Sequence, residues 1–147
     1  MLETVRGLVE RITNSHLNAL VRHFFDNPEF IRQFAAAPGA RRVHHAYLGG
    51  LLEHTTSVAA LAEAVIAQYP EINADLLLTG VLLHDIGKVR EYTWETDIDY
   101  TDEGTLVGHV VIGDEMVAAA MAALPGFPEE LALRVRHLIV SHHGRYE

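Results

Sequence analysis

Apolar and polar residues alternate with a helical period over most of the chain. Between Leu17 and Phe25 the apolar residues recur three and four positions apart, which is typical of a helix with one buried face. Asparagine or serine precedes several such segments, and these side chains can accept hydrogen bonds from the first free backbone amides of a helix. The pattern therefore predicts a mostly α chain.

The predicted helices are separated by short polar or proline-containing segments. They cover about residues 2–12, 15–25, 28–36, 48–68, 73–87, 105–124 and 128–142. Asn14 or Ser15, Asn27 and Asn73 are the candidate N-caps, and Gly87 is well placed to end the fifth helix. Residues 37–42 form a loop. Residues 91–104 contain aromatic and β-favouring residues, six carboxylates and a final glycine, which favours a small hairpin or extended loop.

Composition narrows the classes of protein. A chain of 147 residues, 49% hydrophobic and 21% charged, is typical of one soluble domain, which we expect to span residues 1–147. No apolar run is long enough to cross a membrane, and no secretion signal opens the chain. The absence of cysteine excludes disulfides and thiolate metal sites, and favours a cytoplasmic protein. The net charge of −9 repels polyanions on average, so any phosphate must bind at a local positive site.

Histidine is unusually frequent, with ten residues against a single lysine, Lys88. Helical periodicity groups His54 with Val58, Leu61 and Val65, and predicts that its side chain points inward. The other histidines on predicted apolar stripes are His84 (with Leu77 and Val81), His109 (with Leu106, Gly113 and Met116) and His142 (with Leu131, Val135 and Leu138), and His143 lies about 100° further round its helix.

Each of these histidines alone is explained by a hydrogen-bonded core position. Four helices that each carry a histidine on a buried stripe, together with Asp85, instead indicate a shared divalent-metal site. Asp85 can bridge two ions because a carboxylate has two oxygens. The mixture of imidazole and carboxylate suits manganese best, with iron, cobalt or nickel as alternatives, over an all-oxygen magnesium site.

Four segments carry a resemblance to a known family: HHAYLGGLLEHT (44–55), LLHDIGK (82–88), DYTDEGTLVGHVVIG (99–113) and SHHG (141–144). In this order they resemble the HD superfamily of metal-dependent phosphohydrolases, and most closely the HD domain of YhaM-type 3′-to-5′ exoribonucleases. The resemblance covers nearly the whole chain and implies a compact HD-domain helical bundle.

The resemblance also implies roles for particular residues. His54, His84 and Asp85 would hold one metal ion, and Asp85 would bridge to a second ion held by His109, His142 and His143. Asp85 and Lys88 are then the candidate catalytic residues, with Lys88 facing the substrate phosphate. The alternative for Lys88 is a solvated lysine at a helix C-terminus, where its charge complements the helix dipole.

Residues upstream of the GGLLEH helix are weaker candidates for substrate binding. Arg41, Arg42, His44 and His45 would form an anion-binding rim with the backbone at Gly49–Gly50, or else an ordinary loop. Tyr47 would stack on a base or lie in the core. The acidic run from Glu91 to Glu103 is expected to be a solvated hairpin.

Two features of the resembling family have no counterpart in residues 1–147. One is a final metal-binding aspartate on a helix after SHHG, so we expect a truncated C-terminus, or a site completed by another carboxylate, by water or by a second chain in a homo-oligomer. Asp102, Asp114 and Glu115 are conceivable substitutes. The other is an upstream OB-fold, which the predicted helices of residues 1–46 leave no room for.

Three functions remain open from the sequence. The first is a phosphodiesterase that trims the 3′ ends of single-stranded RNA or DNA by attack of metal-activated water. The second is a phosphohydrolase acting on nucleotides or other small phosphate esters, which the acidic charge tolerates better. The third is a non-catalytic protein whose metal pocket binds a ligand.

Overall fold

The computed structural model describes residues 1–42 and 45–144. Its helices are α1 (Leu2–Arg11), α2 (Ser15–Phe25), α3 (Pro28–Ala36), α4 (Gly50–Gln68), α5 (Ala74–Leu83), α6 (Lys88–Glu91), α7 (Asp102–Leu106), α8 (His109–Ala123) and α9 (Glu129–Ser141). Strands β1 (Tyr92–Thr93) and β2 (Asp99–Tyr100) pair antiparallel, with Tyr92 opposite Tyr100. The prediction of a mostly α bundle with a small hairpin within residues 91–104 is confirmed.

Asparagine side chains begin three of the helices, as the sequence indicates. Asn14 accepts hydrogen bonds from the amides of His16 and Leu17, so Asn14 rather than Ser15 is the cap of α2. Asn27 caps α3 in the same way, and Asn73 accepts from the amide of Leu76 in α5. Each cap typically contributes about 1 kcal/mol and fixes where its helix begins.

Helix α5 lies at the centre of the bundle and contacts α1, α2, α4 and α9. Every residue from Leu78 to Leu83 is buried, which explains why this stretch has no polar face. On one side the core contains a cluster of aromatic rings from Phe24, Phe25, Phe30 and Phe34. No helix within the described ranges has the length and apolarity needed to cross a membrane.

Two predicted helix boundaries are wrong. The helix predicted over residues 105–124 is two helices, because Gly108 adopts φ 84° and ψ 154° and interrupts the hydrogen-bonded turns between α7 and α8. Helix α5 ends at Leu83 rather than at Gly87, whose φ of −59° is not that of a left-handed cap. Gly87 is needed for a different reason: a Cβ there would lie 2.0 Å from the carbonyl oxygen of His109, so the turn packs directly on the backbone of α8.

The apolar stripe that contains His54 was predicted to point into the core, and this is wrong for part of the stripe. Leu61 is 69% exposed and Val65 is 39% exposed, whereas the buried face of α4 consists of Leu51, Leu52, Thr55, Ala59 and Ala62. Helical periodicity detects one-sidedness, but it does not say which side meets the rest of the protein. His54 instead faces a cleft between α4, α5 and α9.

Candidate functional site

The tight turn after α5 places His84 and Asp85 at the middle of the bundle. His84 remains in helical geometry, with its amide donating to the carbonyl of Gly80 at 2.8 Å. Asp85 follows and is only 3% exposed. A carboxylate this deeply buried is costly unless charged or hydrogen-bonding groups surround it, so its neighbours are the first place to seek chemistry.

The two oxygens of Asp85 face two different sets of histidines. Oδ2 lies 3.4 Å from Nε2 of His54 and 3.4 Å from Nε2 of His84. Oδ1 lies 3.4 Å from Nε2 of His109 and 3.5 Å from Nε2 of His142. Four helices thus deliver imidazole nitrogens to one carboxylate, which is the convergence that the sequence pattern predicts.

The potential metal ligands form two groups. Within each group, the ligand atoms lie within 4.8 Å of one another. One group is His54, His84 and Asp85, and the other is His109, His142 and His143. We call these six side chains the centre. The structure therefore brings together every residue that the sequence marked as a metal ligand.

The chemistry of the donor atoms fits divalent cations. Oδ1 of Asp85 and Nε2 of His109 and His142 are buried and have no hydrogen-bond partner in the part of the chain that the structure describes. Unsatisfied buried polar atoms are rare and unfavourable, and a metal ion is one group that satisfies them. The three atoms also point at each other across gaps too long for good hydrogen bonds, so the residues present suit a cation between them.

The electrostatics keep Asp85 and His54 in their ligand-competent protonation states. Burial alone would raise the pKa of the Asp85 carboxyl group, but the imidazoles of His142 and His84 and the Lys88 ammonium group hold it far below its usual range. Burial lowers the pKa of His54 to about 4, which outweighs the opposite effect of Asp85. Near neutral pH the carboxylate is therefore ionised and the His54 imidazole is neutral, as metal ligation requires.

Second hydrogen bonds fix the ring orientations. Nδ1 of His84 donates to the Val81 carbonyl at 2.8 Å, and Nδ1 of His142 donates to the Ile139 carbonyl at 2.6 Å. Because a carbonyl oxygen only accepts, each Nδ1 must carry a proton, so in the neutral ring the lone pair is on Nε2 and is directed into the centre. These local bonds arise within one helical turn, so the helix backbone itself sets the tautomer.

Glu91 plays the corresponding part for His109, and the sequence analysis missed it. Its Oε1 accepts from Nδ1 of His109 at 3.0 Å and from the amide of His109 at 3.1 Å. The prediction that residues 91–103 are a solvated run is wrong here, since Glu91 is only 5% exposed. The buried neighbours Val89 and Tyr92 are a sequence signal that separates Glu91 from the exposed acidic residues after it.

Lys88 is not a solvated lysine. Its Nζ donates to Oδ2 of Asp85 at 2.7 Å and to the carbonyl of Gly39 at 2.8 Å, and the side chain is 12% exposed. The ammonium group thus lies beside the centre and on the wall of the adjoining cavity. It also ties the loop at Gly39 to the turn after α5.

A cavity of about 530 Å³ opens next to the centre. Its polar wall includes His54, His84, Asp85 and Lys88, and its apolar wall is formed by residues of α4, α5 and α9. The apolar residues are Val58, Leu77, Val81 and Leu138. This size lies within the range of small-molecule sites, and the two walls suit a ligand with an anionic and an apolar part.

The segment of residues 39–42 and 45–49, which we call the rim segment, lies beside His54. The ring of His45 is 5.5 Å from the ring of His54, and Nδ1 of His45 is 3.2 Å from the Tyr47 hydroxyl. Tyr47 is 46% exposed, so its expected alternative place in the core is wrong, and its hydroxyl donates to Glu53 at 2.5 Å.

Other parts of the predicted anion rim are already paired. Arg41 forms an ion pair with Asp99 at 3.0 Å and lies over the Tyr100 ring. Arg42 is exposed, and His44 lies outside the described residues. The amides of Gly49 and Gly50 donate to backbone carbonyls, so they do not form the expected anion cradle.

The carboxylates considered as substitutes for a final aspartate lie elsewhere. Asp114 makes a two-pronged ion pair with Arg136, with distances of 2.6 and 2.8 Å. Asp102 is exposed in the first turn of α7, and Glu115 is exposed on α8. Within the described ranges, neither group of potential ligand atoms includes any of these three residues.

Comparison with known proteins gives consistent matches. The model of the HD domain matches residues 51–147. Proteins named 3′-5′ exoribonuclease YhaM are similar over the whole chain: those of Bacillus pumilus (strain SAFR-032) and Bacillus subtilis (strain 168) are both 35% identical, and that of Shouchella clausii (strain KSM-K16) is 36% identical. All 147 residues align, but they cover only 45–46% of those proteins. The chain therefore spans less than half the length of these relatives. No solved structure matches.

Proposed function

This chain belongs to the HD-domain family, and from that premise we propose that it is a divalent-metal-dependent phosphohydrolase that trims the 3′ ends of single-stranded RNA or DNA. The observation that carries the proposal is the split of the Asp85 carboxylate, with one oxygen facing each group of histidines. The relatives named exoribonucleases support nucleic acid as the substrate class.

The six side chains divide between two ions in this proposal. His54, His84 and Asp85 would hold the first ion, and His109, His142 and His143, with Asp85, would hold the other. Nitrogen donors outnumber oxygen donors, which favours manganese, iron, cobalt or nickel over magnesium. We take manganese as the first ion to test.

Divalent ions bound in pairs lower the pKa of a water molecule and stabilise charge on the attacking and leaving oxygens of a phosphodiester. The protein residues supply the rest. Asp85 remains ionised and fixes the spacing between the two groups. His84 and His142 direct Nε2 towards the ions because their Nδ1 atoms donate to backbone carbonyls. Lys88 lies on the cavity wall, where its positive charge can stabilise a non-bridging phosphate oxygen of the substrate.

A small phosphate ester is the second candidate substrate. The net charge of −9 opposes a long polyanion, and the cavity of about 530 Å³ is large enough for a mononucleotide. Salt distinguishes the candidates, because a strand with about four neutralised phosphates gives a log–log slope of about −3, whereas a mononucleotide gives a shallow one.

The test is a gel time course on 5′-labelled single-stranded RNA with added manganese. The blank is H84A/D85A, and the matched control is H23A/D26A, which removes the same residue types from the exposed surface of α2. We expect a ladder that shortens from the 3′ end in wild type and in the control, and intact RNA in the blank.

Two other outcomes redirect the proposal. Intact RNA together with hydrolysis of mononucleotide esters would overturn the nucleic-acid substrate and favour the small-ester alternative. Normal manganese binding without turnover of any phosphate ester would overturn the enzymatic function and favour a ligand-binding role.

A further inference from the structure

We infer that Glu91 is a positioning residue, which sets the tautomer and orientation of His109 and makes one of the two ion sites depend on a buried carboxylate. The inference rests on the proposed function only in assigning an ion to His109, since the contact between Glu91 and His109 is a property of the protein itself. The sequence analysis had placed Glu91 in a solvated acidic run and had given it no role.

The hydrogen bonds around Glu91 leave His109 one orientation. Oε1 of Glu91 accepts from Nδ1 of the ring and from the backbone amide of the same residue. An ionised carboxylate is an acceptor only, so Nδ1 carries the proton and Nε2 is left as the free donor to an ion. Nε2 of His109 is buried, has no hydrogen-bond partner within residues 1–42 and 45–144, and lies 3.4 Å from Asp85 Oδ1.

Two other histidines of the centre, His84 and His142, are held differently. His84 and His142 donate to the carbonyls of Val81 and Ile139, which are neutral acceptors in their own helices. A carboxylate partner makes the opposite nitrogen a stronger donor to a metal than a neutral carbonyl does. The centre is therefore asymmetric, and the stronger support lies on the His109 side.

The hairpin and α7 hold Glu91 in place through its backbone. The Glu91 carbonyl accepts from the amide of Thr101 at 2.9 Å and from its hydroxyl at 3.2 Å. The backbone of Gly104 packs so tightly against Glu91 that a Cβ there would lie 2.1 Å from the Glu91 carbonyl oxygen. Thr101 and Gly104 thus hold the backbone of the residue that orients His109.

A purely structural role for Glu91 is the alternative to test against. His109 is the first residue of α8, and Gly108 before it has no side chain to cap the helix. Glu91 accepts from the His109 amide and so acts as the missing cap. A cap would affect helix stability, but it would not by itself select a ring tautomer or one ion site.

The experiment compares Glu91→Gln with two controls, Glu103→Gln and Gly108→Ala. The first control removes an equal charge from an exposed ion pair with Arg90. The second strains the start of α8, because Gly108 has a φ of 84° that other residues rarely adopt, while open space around it avoids a clash. Manganese binding is followed by calorimetry, and the ring tautomer of His109 by long-range ¹⁵N–¹H correlation spectra of the metal-free protein.

In wild type we expect two manganese ions per chain and a His109 ring protonated at Nδ1. In Glu91→Gln we expect one ion to bind about 10- to 100-fold more weakly, the other to be unchanged, and the His109 signals to shift toward a mixture of tautomers. Glu103→Gln should match wild type. Gly108→Ala should lower the melting temperature without changing ion affinity.

Two results would overturn the inference. One is a Glu91→Gln variant that binds both ions as wild type does and keeps the Nδ1–H tautomer. The other is an equal loss of ion affinity in Gly108→Ala, which would make the effect one of helix capping. Should Glu91→Gln not fold, Glu91→Asp keeps the charge but withdraws the carboxylate by one methylene, and the same shifts are expected in weaker form.

The failure of the proposed function would look different. Wild type that binds no manganese would remove the metal premise, while the spectra of the metal-free protein would still decide whether Glu91 sets the tautomer. A change of tautomer in Glu91→Gln supports the positioning role, and an unchanged tautomer overturns it.

Discussion

Asp85 in the centre is 3% exposed, whereas Tyr47 in the neighbouring rim segment is 46% exposed. Three buried atoms of the centre, Asp85 Oδ1 and Nε2 of His109 and His142, lack a hydrogen-bond partner among the described residues. In the rim segment the polar groups of Arg41 and Tyr47 are already paired, with Asp99 and Glu53 respectively. The comparison teaches that buried polar atoms without a partner indicate a candidate metal site better than exposed charged side chains do.

Asp85→Asn should have the largest effect, because it removes the one charge that both groups of histidines share. We expect phosphohydrolase activity to fall about 10³-fold or more, with manganese affinity lost at both sites. Calorimetry and a phosphodiesterase assay measure the two losses. Asp114→Asn, which breaks an ion pair on α8, is the control that should keep both. Retained activity in Asp85→Asn would show that the centre is no more important for activity than the rim segment.

Lys88→Met should separate substrate binding from ion binding. We expect turnover to fall about 10²-fold, because a positive charge on the cavity wall is lost. Manganese affinity should rise or stay constant, since the ammonium group 2.7 Å from Asp85 Oδ2 repels a nearby cation. Single-turnover assays and calorimetry give the two values. Loss of ion affinity would instead place Lys88 among the supports of the centre.

Removal of the metal ions should lower the thermal stability of the protein only through the loss of binding at the centre. With free manganese at about 100 times its dissociation constant, each bound ion contributes about 2.7 kcal/mol to stability. For a chain of this size, each ion corresponds to a melting temperature about 5–10 °C higher than in a chelator. Thermal scans with and without chelator measure the shift. An equal shift in Asp85→Asn would show that the ions stabilise the protein somewhere else.

Tyr47→Phe should have the smallest effect. It removes an exposed hydrogen bond to Glu53, so we expect stability to change by less than about 0.5 kcal/mol. A change in kcat/KM of less than about threefold, all of it in KM, would fit a residue that touches only substrate. A loss in kcat comparable to that of Lys88→Met would show that Tyr47 acts in the reaction itself, and the centre and the rim segment would then not differ in function.

The sequence predicted the helix starts at Asn14, Asn27 and Asn73 because capping is a local interaction between neighbouring residues. Helical periodicity placed four histidines on apolar stripes and predicted that they converge on Asp85, whereas the full set of six side chains was implied by the resemblance to the HD superfamily. The role of Glu91 was not readable, because its partner His109 is 18 residues away and depends on how α6 meets α8. The exposure of Leu61 was missed for a similar reason: periodicity identifies a face and not what covers it.

The contact between Gly87 and α8 has a consequence for how this sequence can diverge. No side chain separates the two backbones, since a Cβ at Gly87 would lie 2.0 Å from the His109 carbonyl oxygen and 2.7 Å from the Gly113 nitrogen. The spacing between Asp85 and His109 is therefore set by main chain against main chain and not by the volume of any apolar residue. Evolutionary drift in the interior can repack the bundle without stretching this spacing, so long as the glycine is kept.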